Sequence, residues 1–125
     1  MKEKIETKLA PAAIGPYSQA IEAGDYVYIS GQLPINPDTG DMPDDISSQT
    51  RQSLKNLLSI LEYVNLSMDN VIKTTVFLND MDDFAGMNKV YGEFFNSPFP
   101  ARAAVEVARL PKDALVEIQA VAFKG

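Results

Sequence analysis

The sequence predicts an α+β sandwich, with two helices packed on one face of a mixed sheet. Three observations point there. Strand-like segments rich in β-branched and aromatic residues begin and end the chain. Only two stretches carry apolar residues at helical spacing, and a strand-like segment separates them. The resulting order is hairpin, helix, strand, helix, hairpin, and helices this few and this spaced suit a sandwich with both on one face of the sheet. The length of 125 residues suits one core, so residues 1–125 are expected to form a single domain.

Each element follows from its local chemistry. Glu3 to Lys8 can form a short edge strand. "YSQAIEAGDYVYISGQ" reads as a hairpin, with Gly24-Asp25 as the turn and Tyr26, Val27, Tyr28 and Ile29 as strong strand formers. "LPINPDTGDMPDD" holds three prolines and a "PDTG" turn signal, so it is a loop. A helix begins near Asp44 or Asp45, either of which can cap it. Its stripe is Leu54, Leu57, Leu58, Leu61 and Val64. "NVIKTTVFLN" is strand-like, with Ile72, Thr74, Val76 and Leu78 more apolar than the residues between them. A second helix starts near Asp80 to Asp82 and carries Phe84, Met87, Val90, Tyr91, Phe94 and Phe95 on one side. Pro98 and Pro100 end it. Two strands, about residues 101–109 and 114–123, turn at "LPKD" and form the expected closing hairpin.

A sheet with helices on one side leaves its second face uncovered. Alternation puts Val116, Ile118, Ala120 and Ala122 under the helices, and Glu117, Gln119, Val121 and Phe123 on the open face. For the preceding strand it suggests Ala103, Val105 and Val107 inside. Arg102, Ala104, Glu106 and Ala108 would then join Glu117 outside. Two readings of that face stand. It is a solvated surface with cross-strand ion pairs, or its mixture of small, apolar and charged residues is an interface. Counting back from the turn sets Glu106 nearer to Glu117 than Arg102 is, a like-charge pairing that disfavours a hairpin.

Composition narrows the chemistry. The chain has no cysteine and no histidine. Thiolate nucleophiles, Ser-His-Asp and Cys-His arrangements and sulfur-rich metal sites are excluded. Carboxylates, Arg, Lys, Tyr, hydroxyls, backbone groups and water remain. A net charge of −6, from 11 basic and 17 acidic residues, with Lys55, Lys73, Lys89, Arg51 and Arg109 scattered singly, argues against nucleic-acid binding. No apolar run approaches the roughly 20 residues of a membrane span. The N-terminus lacks the apolar core of a signal peptide, so a cytoplasmic location is expected.

"APAAIGPYSQAI" at 10–21, "YISGQLPINPDTG" at 28–40 and "FPARAAVEVARLPKDALVEIQAVA" at 99–122 resemble the RidA/YjgF family of enamine/imine deaminases, along the full chain. The resemblance implies a chorismate-mutase-like (ferredoxin-like) subunit. It also implies a homotrimer with inward-facing sheets and three intersubunit clefts. The implied activity converts enamines and imines such as 2-aminoacrylate, released by pyridoxal-phosphate enzymes, to 2-keto acid and ammonia. It uses neither metal nor cofactor. The family's carboxylate-binding arginine falls on Arg102 in "PAR", and its catalytic glutamate on Glu117 in "VEIQA". Tyr17 matches an aromatic lining the cleft. Ser30 and Gly31 match a hydroxyl and a backbone N–H facing the ligand, and Asn88 a position near the pocket. Phe84 and Ile14 could add apolar walls. Members often carry cysteine where Ala104 stands. The resemblance implies that only this residue's carbonyl holds the water, so alanine should serve. "FFNSPFPAR" is slightly short for the family. Two other functions stay open: an endoribonuclease or translation inhibitor, as some relatives are described, and a non-catalytic binder of small carboxylates.

Overall fold

The computed structural model describes residues 1–125. Six strands form one mixed sheet: β1 (Lys2–Ile5), β2 (Ala20–Ala23), β3 (Tyr26–Gln32), β4 (Val71–Leu78), β5 (Ala101–Glu106) and β6 (Val116–Phe123). Two helices, α1 (Ile46–Tyr63) and α2 (Phe84–Phe94), cover one face. The strand order is β1-β2-β3-β6-β4-β5. This is the α+β architecture the element order predicted. No helix is long and apolar enough to cross a membrane.

The helices sit where the sequence puts them. Asp45 caps α1, its side chain accepting a hydrogen bond from the Ser48 N–H at 3.0 Å. Leu54, Leu57, Ile60 and Leu61 are fully buried, each contributing about 1.5–3 kcal/mol of transfer free energy. Asp80 caps a short 3-10 turn, Met81–Asp83, that leads into α2. The two helices approach closely: a β-carbon on Gly86 would lie 2.8 Å from Cγ2 of Ile46.

The C-terminal strands depart from expectation. There is no closing hairpin. β6 inserts between β3 and β4, antiparallel to both, while β5 lies at the sheet edge, parallel to β4. The helix α2 makes the β4-to-β5 crossover that a parallel pair requires. In β6 the predicted alternation holds, with Val116, Ile118, Ala120 and Ala122 buried. In β5 it is reversed. Arg102 pairs with Thr74, Ala104 with Val76 and Glu106 with Leu78, and those three β4 residues are buried under the helices. Arg102, Ala104 and Glu106 therefore face the helix side, and Ala103 and Val105 the open side. Glu106 accepts a hydrogen bond from the Met81 N–H at 2.8 Å. It lies two strands and one face away from Glu117, so the like-charge pairing does not arise.

The open face is apolar over much of its area. Tyr26, Tyr28, Val105 and Phe123 are each more than a third exposed. The Tyr26 ring packs 5.4 Å from that of Phe123 and 6.4 Å from that of Tyr28, centroid to centroid.

Candidate functional site

The residues singled out by the sequence form two groups on opposite faces of the sheet. Glu117 anchors the open-face group. Its carboxyl is half-buried between β3 and β4, and burial alone pushes its pKa above the ordinary value near 4.5. Beside it, β3 carries a bulge. Ile29 pairs with Ala120 and Gln32 with Ile118, so Ser30 and Gly31 together oppose Gln119. The bulge turns Gly31 against Glu117, where a β-carbon would stand 2.8 Å from Oε2. Two hydrogen bonds brace it: the Ser30 hydroxyl donates to the Ser18 carbonyl at 2.6 Å, and the Gln32 amide donates to the Ser30 carbonyl at 3.0 Å.

Tyr17 and Ile14, both exposed, share a narrow cleft with Gly31. Their loop is held by the buried amide of Gln19. It accepts from the Thr7 N–H at 2.7 Å and donates to the Thr7, Ala10 and Pro11 carbonyls. Lys112 reaches the same cleft from the 3-10 turn Pro111–Asp113, where Lys112 and Asp113 both adopt left-handed backbone, φ 57° and 56°.

Arg102 anchors the helix-face group. Its Nη1 donates to Asn88 Oδ1 at 2.7 Å. The guanidinium carbon lies 4.7 Å from the Tyr91 ring centroid and 5.5 Å from that of Phe84. Phe84, Asn88 and Tyr91 stand at i, i+4 and i+7 on α2, one stripe laid along the Arg102 side chain. An open cleft of about 440 Å³ follows, lined by Asn88, Tyr91, Gly92, Phe99, Pro100 and Arg102. No acidic residue pairs with Arg102; the four ion pairs are Lys4–Glu6, Arg51–Glu93, Arg109–Asp113 and Lys124–Glu22. Its charge is thus held by a neutral amide and two rings, and its other N–H groups have no partner within the chain.

Ala104 packs its side chain against the core. The Val107 N–H bonds the Leu78 carbonyl, so alternation along β5 turns the backbone groups of Ala104 to the free edge.

Arg102 and Glu117 do not meet in one chain. They lie on opposite faces of the sheet, on strands separated by β4, about 10 Å apart in strand spacing alone. Sequence reasoning placed them together because it gave β5 the wrong face. It also treated Tyr91 only as core and passed over Phe99 and Lys112. The polar Asn88 inside an aromatic stripe was the available signal for Tyr91.

The architecture is that of the RidA/YjgF structures. The crystal structure of the Escherichia coli YjgF gene product superposes with TM-score 0.95 at 49% identity, covering 98% of this chain and 99% of that one. Escherichia coli TdcF with bound serine superposes with TM-score 0.94 at 46% identity, covering 98% and 99%. The family described as Endoribonuclease L-PSP matches residues 7–124, and the chain belongs to it. A RutC family protein of Pyrococcus horikoshii is 58% identical over 125 residues, 99% of each chain. The 2-iminobutanoate/2-iminopropanoate deaminase of Escherichia coli (strain K12) is 50% identical over 127 residues, again 99% of each.

Proposed function

We propose that this protein hydrolyses small 2-imino carboxylates and their enamine tautomers, such as 2-aminoacrylate and 2-iminopropanoate, to the 2-keto acid and ammonia. One observation carries the reading. The chain presents two complementary half-sites that a single copy cannot join: a guanidinium without an acidic partner, and a half-buried carboxyl of raised pKa. The similarity to a named imine deaminase at 50% identity supports it.

The complete site forms when one copy's Arg102 cleft docks on the next copy's Glu117. A homotrimer, as the family resemblance implies, would close three such sites and bury the apolar open face of the sheet. Arg102 and Asn88 hold the substrate carboxylate, bidentate recognition being what a guanidinium fork does best. Gly31 and Ser30 flank the reacting carbon, Tyr17 and Ile14 wall it, and the Ala104 carbonyl orients the water.

The chemistry balances without an added reactant. Water attacks C2 of the protonated imine, and its proton passes to the Glu117 carboxylate. The resulting carbinolamine takes that proton back on nitrogen. As the C2–N bond breaks and the C2 carbonyl forms, the Glu117 carboxylate takes the hydroxyl proton and passes it to the departing ammonia, which leaves as ammonium. A carboxyl whose pKa is raised by burial suits both transfers, since it holds an accepted proton more firmly than an ordinary carboxylate and still returns it. Alignment of carboxylate, C2 and water supplies proximity. Arg102 stays bound throughout. The reading fits the cytoplasm, where pyridoxal-phosphate enzymes release such intermediates.

The test is ammonia release from freshly generated 2-aminoacrylate, measured against buffer alone and against Arg102→Ala. Enzyme-dependent release that the substitution abolishes supports the reading; release at the buffer rate sinks it. A parallel incubation with RNA addresses the nuclease reading suggested by the family's description. Arg102 is the only basic residue lining its cleft, which is poor provision for a phosphate backbone.

A further inference from the structure

We propose that Tyr91 is the positioning residue for the Arg102 guanidinium, fixing the plane in which Arg102 presents its N–H edge to a substrate carboxylate. This rests on the reading of Arg102 as the carboxylate anchor. Three elements converge on the point. Thr74 of β4 and Arg102 of β5 are register partners on the same face. The Tyr91 hydroxyl of α2 meets the Thr74 hydroxyl at 2.7 Å in a buried hydrogen bond. Its ring lies 4.7 Å from the guanidinium carbon. The Phe95 ring, from the residue that ends α2, lies 4.6 Å away by centroid and supports Tyr91.

The arrangement does what a long, flexible arginine needs. An exposed guanidinium samples many rotamers, and each bound carboxylate must select one. Here the hydroxyl tethers the ring to the sheet, the ring offers a flat face to the cation, and Asn88 holds one edge. Stacking occupies the face of the guanidinium and leaves its in-plane donors free. Burial raises the Tyr91 phenol above its ordinary value of 10.0, so no phenolate competes with substrate for the cation. A tyrosine that only filled the core would still need a partner for its hydroxyl, but not the charged neighbour over its ring.

The experiment compares binding of 2-oxobutanoate and its methyl ester by calorimetry, in the wild type and in Tyr91→Phe and Tyr91→Leu, with the thermal midpoint of each protein recorded. Tyr91→Phe keeps the ring and should keep most of the carboxylate preference. Tyr91→Leu should weaken 2-oxobutanoate binding roughly 10-fold, leave the ester unchanged, and raise KM more than it lowers kcat. Should Tyr91→Leu fail to fold, Tyr91→Met removes the flat face with less loss of volume and reads the same ratio. A folded Leu or Met variant with the wild-type preference for carboxylate over ester overturns the inference. A wild type that does not prefer carboxylate over ester overturns instead the reading of Arg102 on which it stands.

Discussion

Gly31 lies so close to Glu117 that a β-carbon at residue 31 would sit 2.8 Å from Oε2, 2.9 Å from Cδ and 3.1 Å from Cγ of the glutamate. The glycine is there for space, because its backbone is not in the left-handed region. The atoms it would displace form the tip of a side chain, not backbone. Gly31→Ala should therefore fold, with a thermal midpoint near wild type, yet shift the carboxyl from the place the proposed hydrolysis requires. The expected loss is on the order of 100-fold in kcat for 2-iminobutanoate. Unchanged kcat would mean that the carboxyl position is not critical.

The raised pKa of Glu117 has a signed consequence for stability. Folding favours its protonated form, because burial penalises the charge. That favourable contribution is complete below pH 4.5 and is lost as pH rises through the raised value. Once ionised, the half-buried carboxyl is a net cost. Glu117→Gln should melt above the wild type at pH 7, with the gap closing as pH falls toward 4. A gap that widens on acidification would contradict this. On the proposed role of the Glu117 carboxylate as base, wild-type kcat/KM should climb with pH along a limb centred above 4.5.

Arg102 presents a fork that lysine cannot copy. Arg102→Lys keeps the charge but loses the bidentate geometry and the stacking on Tyr91 and Phe84. It should raise KM by at least about 10-fold, and Arg102→Ala should cost about 100-fold or more in kcat/KM. Arg102 is exposed in the chain, so folding should survive either substitution. A fully active lysine variant would reduce Arg102 to a point charge.

Asn88 matters because it is neutral. Its Oδ1 accepts from Arg102 at 2.7 Å without cancelling the charge. Asn88→Asp should make a stronger pair with Arg102 and thereby compete with substrate, raising KM roughly 10-fold. Asn88→Ala should cost less, about threefold to 10-fold, because the guanidinium keeps its aromatic supports. Steady-state kinetics on the two variants gives the order. A milder effect from the aspartate would mean the amide acts on substrate directly.

Most elements were legible because one face of each is buried. The α1 stripe from Leu54 to Leu61 and the alternation of β6 both carry a clear inside-outside contrast. β5 carries none: no residue in it is fully buried, and only Ala104 is partly so. An edge strand with open flanks has no pattern to select its face, so both its partner and its parity were misread. Bulges hid two more details. One lies at Ser30–Gly31; the other, between Val71 and Lys73, leaves Ile72 exposed although it shares the apolar parity of β4. The candidate site residues came from motif likeness, whereas their split between two faces depends on the place of β5.

That split is the central claim, and subunit mixing tests it most directly. Arg102→Ala and Glu117→Gln proteins, each inactive alone, are unfolded together and reassembled in equal amounts. If each site takes Arg102 from one copy and Glu117 from its neighbour, random assembly restores about a quarter of the wild-type imine hydrolysis. If the mixture is as inactive as its two parents while wild type treated the same way recovers, the site lies within one chain and the account is wrong.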